Sequence, residues 1–135
     1  MQATLIVVLV LHVLSGVFWA GTTFALARMA GNDAEQFLRP QMGAATVAVV
    51  TGVLLWLLLH RGDLGTPGYI LAVGAFCALL AVGVQGATGA LALRSLSSIG
   101  ESETWKLRRR VAAGRRIAAA LLAITVTCMA AARFA

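Results

Sequence analysis

The sequence is poor in charge. Only 12% of its 135 residues are Asp, Glu, Lys or Arg, five of them acidic, while 60% are apolar and the mean hydropathy is +0.89. Soluble domains carry about twice that share of charge, so water is excluded as the main solvent. The few charges also cluster. Residues 1–27, 40–60, 64–93 and 117–132 contain no Asp, Glu, Lys or Arg. A hydrocarbon core of about 30 Å is crossed by about 20 helical residues, so each run spans or nearly spans a bilayer. Regular alternation of apolar and polar positions is also missing, which excludes a β-barrel and leaves helices.

Further absences narrow the function. With no acidic or basic side chain inside a span, a proton relay or ion path built on carboxylates is argued against, and with it most transport mechanisms. The two cysteines, Cys77 and Cys128, fall inside spans and suit buried thiols better than a disulfide framework. There is no phosphate-binding glycine loop, CxxC pair, HExxH or nucleophile elbow, so no soluble-enzyme chemistry is indicated. The first segment lacks a basic leader, and its apolar stretch of about 25 residues exceeds the hydrophobic region of a signal peptide, so it is expected to be a helix of the protein.

What remains is an all-α membrane protein, expected as an antiparallel bundle of four transmembrane helices in a single domain. The helices are expected at about 3–29, 41–60, 69–94 and 111–134, with Pro40 in the first turn of the second. Gly62, Asp63, Gly65, Pro67 and Gly68 are expected in a compact turn before the third. Nine of the eleven basic residues lie between helices one and two (Arg28, Arg39) or three and four (Arg94, Lys106, Arg108, Arg109, Arg110, Arg115, Arg116). The positive-inside rule then puts both termini outside and the basic loop 95–110 in the cytoplasm, in a bacterial inner membrane. The net charge of +6 and pI near 11.1 therefore serve the lipid surface, with no nucleic acid partner. Trp105 beside Lys106 and Arg108–Arg110 suits anionic headgroups, as a cytoplasmic extension of helix four.

Small residues recur every fourth position: Ala44, Ala48 and Gly52; Gly83 and Ala87; Ala119, Ala123, Thr127 and Ala131. Such stripes let helices approach closely in lipid, either within the bundle or between membrane subunits or copies of the chain.

His12 is the most informative polar residue of the spans. An imidazole at membrane depth must be paired or coordinated, so it faces the bundle interior. Val8, Ser15, Gly16, Trp19 and Thr23 share its side of the helix, and Gly16 leaves room for a flat group. A hydrogen bond to Gln85 or a threonine is the plain alternative to a ligand. His12 lies about 13 Å below the outer end of its helix. Counting to the same depth elsewhere gives Thr51 on helix two, Cys77 on helix three, and Cys128 and Met129 on helix four. His12, Cys77, Cys128 and Met129 form a soft donor set suited to Cu(I), or to haem iron through His12 and one sulfur, although Cys and Met also serve as apolar filler. His60 is too shallow to share a haem axially and is better placed beside Arg61, meeting propionates or lipid phosphates.

The stretches LHVLSGVFWAGTTFALAR (11–28) and FLRPQMGAATVAVVTGVLLWLLL (37–59) resemble the first two helices of the superfamily that holds copper-resistance protein D and the J-type membrane protoporphyrinogen oxidases. The resemblance rests on His12, Trp19 and Gly21 and covers about half the chain. It implies a four-helix core in which His12 binds haem b or copper. The oxidases are expected to carry a basic residue within a later helix, whereas the single lysine here, Lys106, lies in 95–110; that argues against oxidase activity. The copper-resistance proteins are longer, with extra helices. Two functions are therefore expected to compete: haem b or copper binding near His12 for cofactor handling or electron transfer, and a non-catalytic accessory or assembly subunit of a larger membrane complex.

Overall fold

A computed structural model of the chain describes residues 2–28, 34–59, 65–95 and 101–135, and every regular element among them is a helix. The charge-free runs form α1 (Gln2–Arg28), α2 (Ala34–Leu59), α3 (Gly65–Ser95) and α4 (Glu101–Ala131). Without water to receive backbone N–H and C=O groups, an apolar chain must satisfy them internally, and the helix does so within one segment. The hydroxyls follow the same rule: those of Ser15, Thr22, Thr46 and Thr127 donate to carbonyls one turn back in their own helices. All four helices contain stretches long and apolar enough to cross a membrane, of 27, 22, 28 and 27 residues.

Three helices start earlier than the charge pattern implies. α2 begins at Ala34, so Pro40 sits inside the helix rather than in its first turn. Residues 34–39 are mostly good helix formers, which favours extension past the missing Pro40 N–H. α3 begins at Gly65, whose φ of +43° is accessible to glycine without a Cβ penalty, and Pro67 then occupies the first turn. α4 begins at Glu101, so most of the segment expected as a basic loop is helical. Lys and Arg are themselves strong helix formers, and polarity alone does not make a loop. Arg109 lies over the Trp105 ring at 5.0 Å, one turn along this segment.

The helices form a closed ring. α3 packs most extensively on α4 and α1 on α2; α1 also meets α4 and α2 meets α3, while the backbones of the diagonal pairs do not approach each other among the described residues. The buried core is Trp19, Ala45, Ala48, Ala78, Ala81, Ala118 and Leu122. Five of these seven are alanines, which lets helix axes come close enough for backbone and side-chain contacts to hold them without a hydrophobic driving force. Glycines make the closest seams. Gly74 faces the Cβ of Cys128 and accepts a hydrogen bond from Thr125 Oγ1 at 3.0 Å, while Gly114 lies under Thr88 and Val84, and Gly89 under Leu38.

The small-residue stripes divide between inside and outside. Ala48 is buried and Gly52 half-buried against α1, whereas Gly83 and Ala87 point away from the bundle, and a methyl group added at Gly83 meets no atom within 4 Å. On α4 the packed row is Gly114, Ala118, Leu122 and Thr125; of the expected stripe only Ala119 is buried. Large apolar side chains cover the exterior, among them Ile6, Leu14, Val17, Val50, Leu57 and Phe76, all more than 60% exposed. Such a surface suits lipid contact.

Candidate functional site

Two polar clusters hold the ring together from within. The first ties α1 to α2 at His12. Its Nδ1 lies 2.9 Å from the carbonyl oxygen of Ala48 and 3.2 Å from Thr51 Oγ1. A carbonyl only accepts, and the Thr51 hydroxyl donates within its own helix, at 2.6 Å to the Val47 carbonyl. Nδ1 therefore carries the proton, and in the neutral ring Nε2 holds the lone pair. Nε2 makes no hydrogen bond to a described residue. The ring lies against Gly52: a Cβ there would stand 3.0 Å from His12 Cε1 and 3.4 Å from Nδ1. On its own helix, Gly16 is half-buried and has open space where a side chain would be.

The second cluster joins three helices through Trp19, Thr23, Gln41 and Gln85. Trp19 Nε1 donates to Gln85 Oε1 at 2.7 Å. An indole N–H can only donate, which orients the Gln85 amide and leaves its Nε2 to donate to Thr23 Oγ1 at 2.8 Å. The Thr23 proton goes to the Trp19 carbonyl at 2.7 Å, so the remaining contact, Gln41 Nε2 at 2.7 Å, must also be a donor. Each assignment follows from the one before it. Trp19, Thr23, Gln41 and Gln85 are all buried. Beside the cluster is a partly enclosed cavity of about 30 Å³, walled by Leu38, Thr88, Ala92, Val111 and Arg115.

Thr51 stands opposite His12, at the depth that counting along the helices implies, and a threonine together with a backbone carbonyl takes the contact that Gln85 was also expected to compete for. Gln85 instead holds Trp19. Trp19 is thus a buried bridge to α3 as well as a member of the His12 face. The sulfurs lie differently. Cys77 and Cys128 are half-buried free thiols, Cys128 packs on Gly74 in the α3–α4 seam, and Met129 is 38% exposed. Among the described residues no three His, Cys, Asp or Glu side chains gather as a metal site. The donors that fit a cofactor are accordingly the single imidazole of His12 with its tethered Nδ1. His60 and Arg61, expected near propionates or phosphates, lie outside the described residues.

Gln41 escapes a sequence reading that begins helix two at that residue and treats it as an end. The usable signal is a lone amide in a run otherwise free of charge, since such a group needs a partner wherever the helix extends to cover it. Compared with protein-family models, curated proteins and solved structures, the chain matches none.

Proposed function

We propose that this chain is a small multi-pass protein of a bacterial inner membrane that binds haem b, or failing that a copper ion, through His12 Nε2, in cofactor handling or electron transfer. The observation that carries this reading is the 2.9 Å contact from Nδ1 to the Ala48 carbonyl. Imidazoles that ligate metals characteristically donate their other N–H to a carbonyl or carboxylate, which fixes the tautomer and makes Nε2 the better donor. A haem iron or copper ion bound there would supply one-electron redox chemistry. His12, Ala48 and Thr51 hold the ligand nitrogen in place, and Gly16 and Gly52 keep bulk away from the ring. Haem is favoured over Cu(I) because, of the sulfurs counted to the level of His12, Cys128 packs on Gly74 of α3 and Met129 is exposed on the outer surface.

The order of contacts supports an antiparallel bundle: His12 and Thr23 meet residues 48–51 and Gln41, while Gly74 and Thr88 meet Thr125 and Gly114. The charge asymmetry supports both termini on the outer side, with the 95–116 region cytoplasmic. The purified protein, reconstituted with haem b, is expected to show a Soret band that His12→Ala abolishes while Ser15→Ala retains it. A spectrum without haem absorption, together with no copper by elemental analysis, would overturn the reading. A second reading, an accessory subunit of a larger membrane complex, draws on the outward-facing Gly83 and Ala87, which leave a flat strip for another helix. Stoichiometric partners retained in mild detergent would favour it; a partner-free particle would count against it.

A further inference from the structure

The cavity beside the glutamines is independent of His12 and has chemistry of its own. Gln41 and Gln85 are each 5% exposed and Thr23 is 2% exposed. The hydrogen bonds deduced above use one N–H of each amide and the Oε1 of Gln85. They leave Gln41 Oε1 without a hydrogen bond to any described residue, and a second N–H on each glutamine unused. Buried polar atoms of this kind are nearly always satisfied by protein or by ordered water. The adjoining space of about 30 Å³ has room for about two waters, each of which needs about 10–15 Å³ and two to four polar neighbours.

The cavity has a definite place in the bundle. Leu26 and Ala92 come from late in α1 and α3, Leu38 and Val111 from early in α2 and α4, and Arg115 stands in the same wall. It therefore lies toward the end of the bundle where the basic residues collect, and it is only partly enclosed. An organic ligand is too large for it.

We propose that this cavity is a water-binding site continuous with the aqueous phase at the Arg115 end, in which water caps Gln41 Oε1 and links it to Gln85. Water thus reaches the amide that holds the Trp19 indole. In the other half of the bundle, Nδ1 of His12, Thr51 and Thr125 are matched by the protein itself, and the lone pair of His12 Nε2 is the acceptor left over.

Water-edited solid-state NMR of the full chain in lipid bilayers tests this, with Gln41 and Gln85 side-chain amides assigned by Gln→Leu variants. Magnetisation from water is expected to reach both amides about threefold faster or more than it reaches the backbone N–H of Ala81, which is fully buried one helical turn from Gln85. Ala92→Leu, which fills the cavity from its wall, is expected to reduce that transfer toward the Ala81 level while the protein stays monodisperse. Transfer to the glutamines no faster than to Ala81 in the unmodified protein would overturn the proposal. So would an Ala92→Leu protein that folds and keeps the fast transfer.

Discussion

The Trp19–Gln85 hydrogen bond offers the sharpest test of how this bundle is held. Both partners are at least 95% buried, and the 2.7 Å bond joins α1 to α3, two helices whose backbones do not approach each other. In a soluble core, orphaning a buried donor costs about 1–3 kcal/mol. In a bilayer the separated helices also find partners, and interhelical side-chain bonds average about 0.6 kcal/mol with a maximum near 1.7 kcal/mol. The second range governs here, because the reference state is an inserted helix rather than a hydrated chain. Gln85→Leu keeps the volume but removes two such bonds, to Trp19 and to Thr23, so it should cost about 1–3 kcal/mol. Trp19→Phe removes the donor and part of the packing. Reversible unfolding in mixed micelles of the two single variants and the double variant isolates the pair. The coupling energy is expected at about 0.6–1.7 kcal/mol, about 3- to 20-fold in the unfolding equilibrium. A coupling indistinguishable from zero would refute the argument that the indole and amide recognise each other.

Other expectations follow from the close seams and the charge pattern. Gly52→Ala pushes a methyl to 3.0 Å from His12 Cε1, and Nδ1 is tied to Ala48 and Thr51, so the variant should lose about 1–3 kcal/mol of stability and shift the spectrum of the haem-reconstituted protein. Gly114→Ala drives a methyl into Thr88; chemical or thermal unfolding should show a loss of similar size, partly restored by adding Thr88→Ser, which removes the clashing Cγ2. Gly83→Ala faces open space and should lie within about 0.5 kcal/mol of the parent protein in the same measurement. A periplasm-dependent reporter fused after Ala135 should be active, and the same reporter inserted near Lys106 inactive; the reverse pattern would invert the topology.

The four spans were legible because charge is excluded from hydrocarbon, and runs such as 64–93 record that exclusion directly. Helix starts were not, since Ala34–Arg39 and the Lys106–Arg110 stretch are strong helix formers whose polarity looks like a loop. The level of His12 could be read by counting rise per residue, and the count led to Thr51. Which side chain meets which across the bundle could not. Trp19 and Gln85 are 66 positions apart, and α1 and α3 are apolar on nearly every face, so no periodic stripe marks the inward side. The same lack of contrast makes Gly83–Ala87 and Ala48–Gly52 look alike in sequence, though one row faces out and the other carries the His12 ring.

Four rods joined only along their sides make a frame that can shear from a square to a rhombus without breaking a joint. The thin α2–α3 side makes that shear easier still. The indole of Trp19 reaching across to Gln85 is a strut on one diagonal, and it sets the corner angles that the side contacts leave free. Gln85 stands at the far end of that strut and bonds to both Trp19 and Thr23, so one side chain of α3 braces the diagonal at two points.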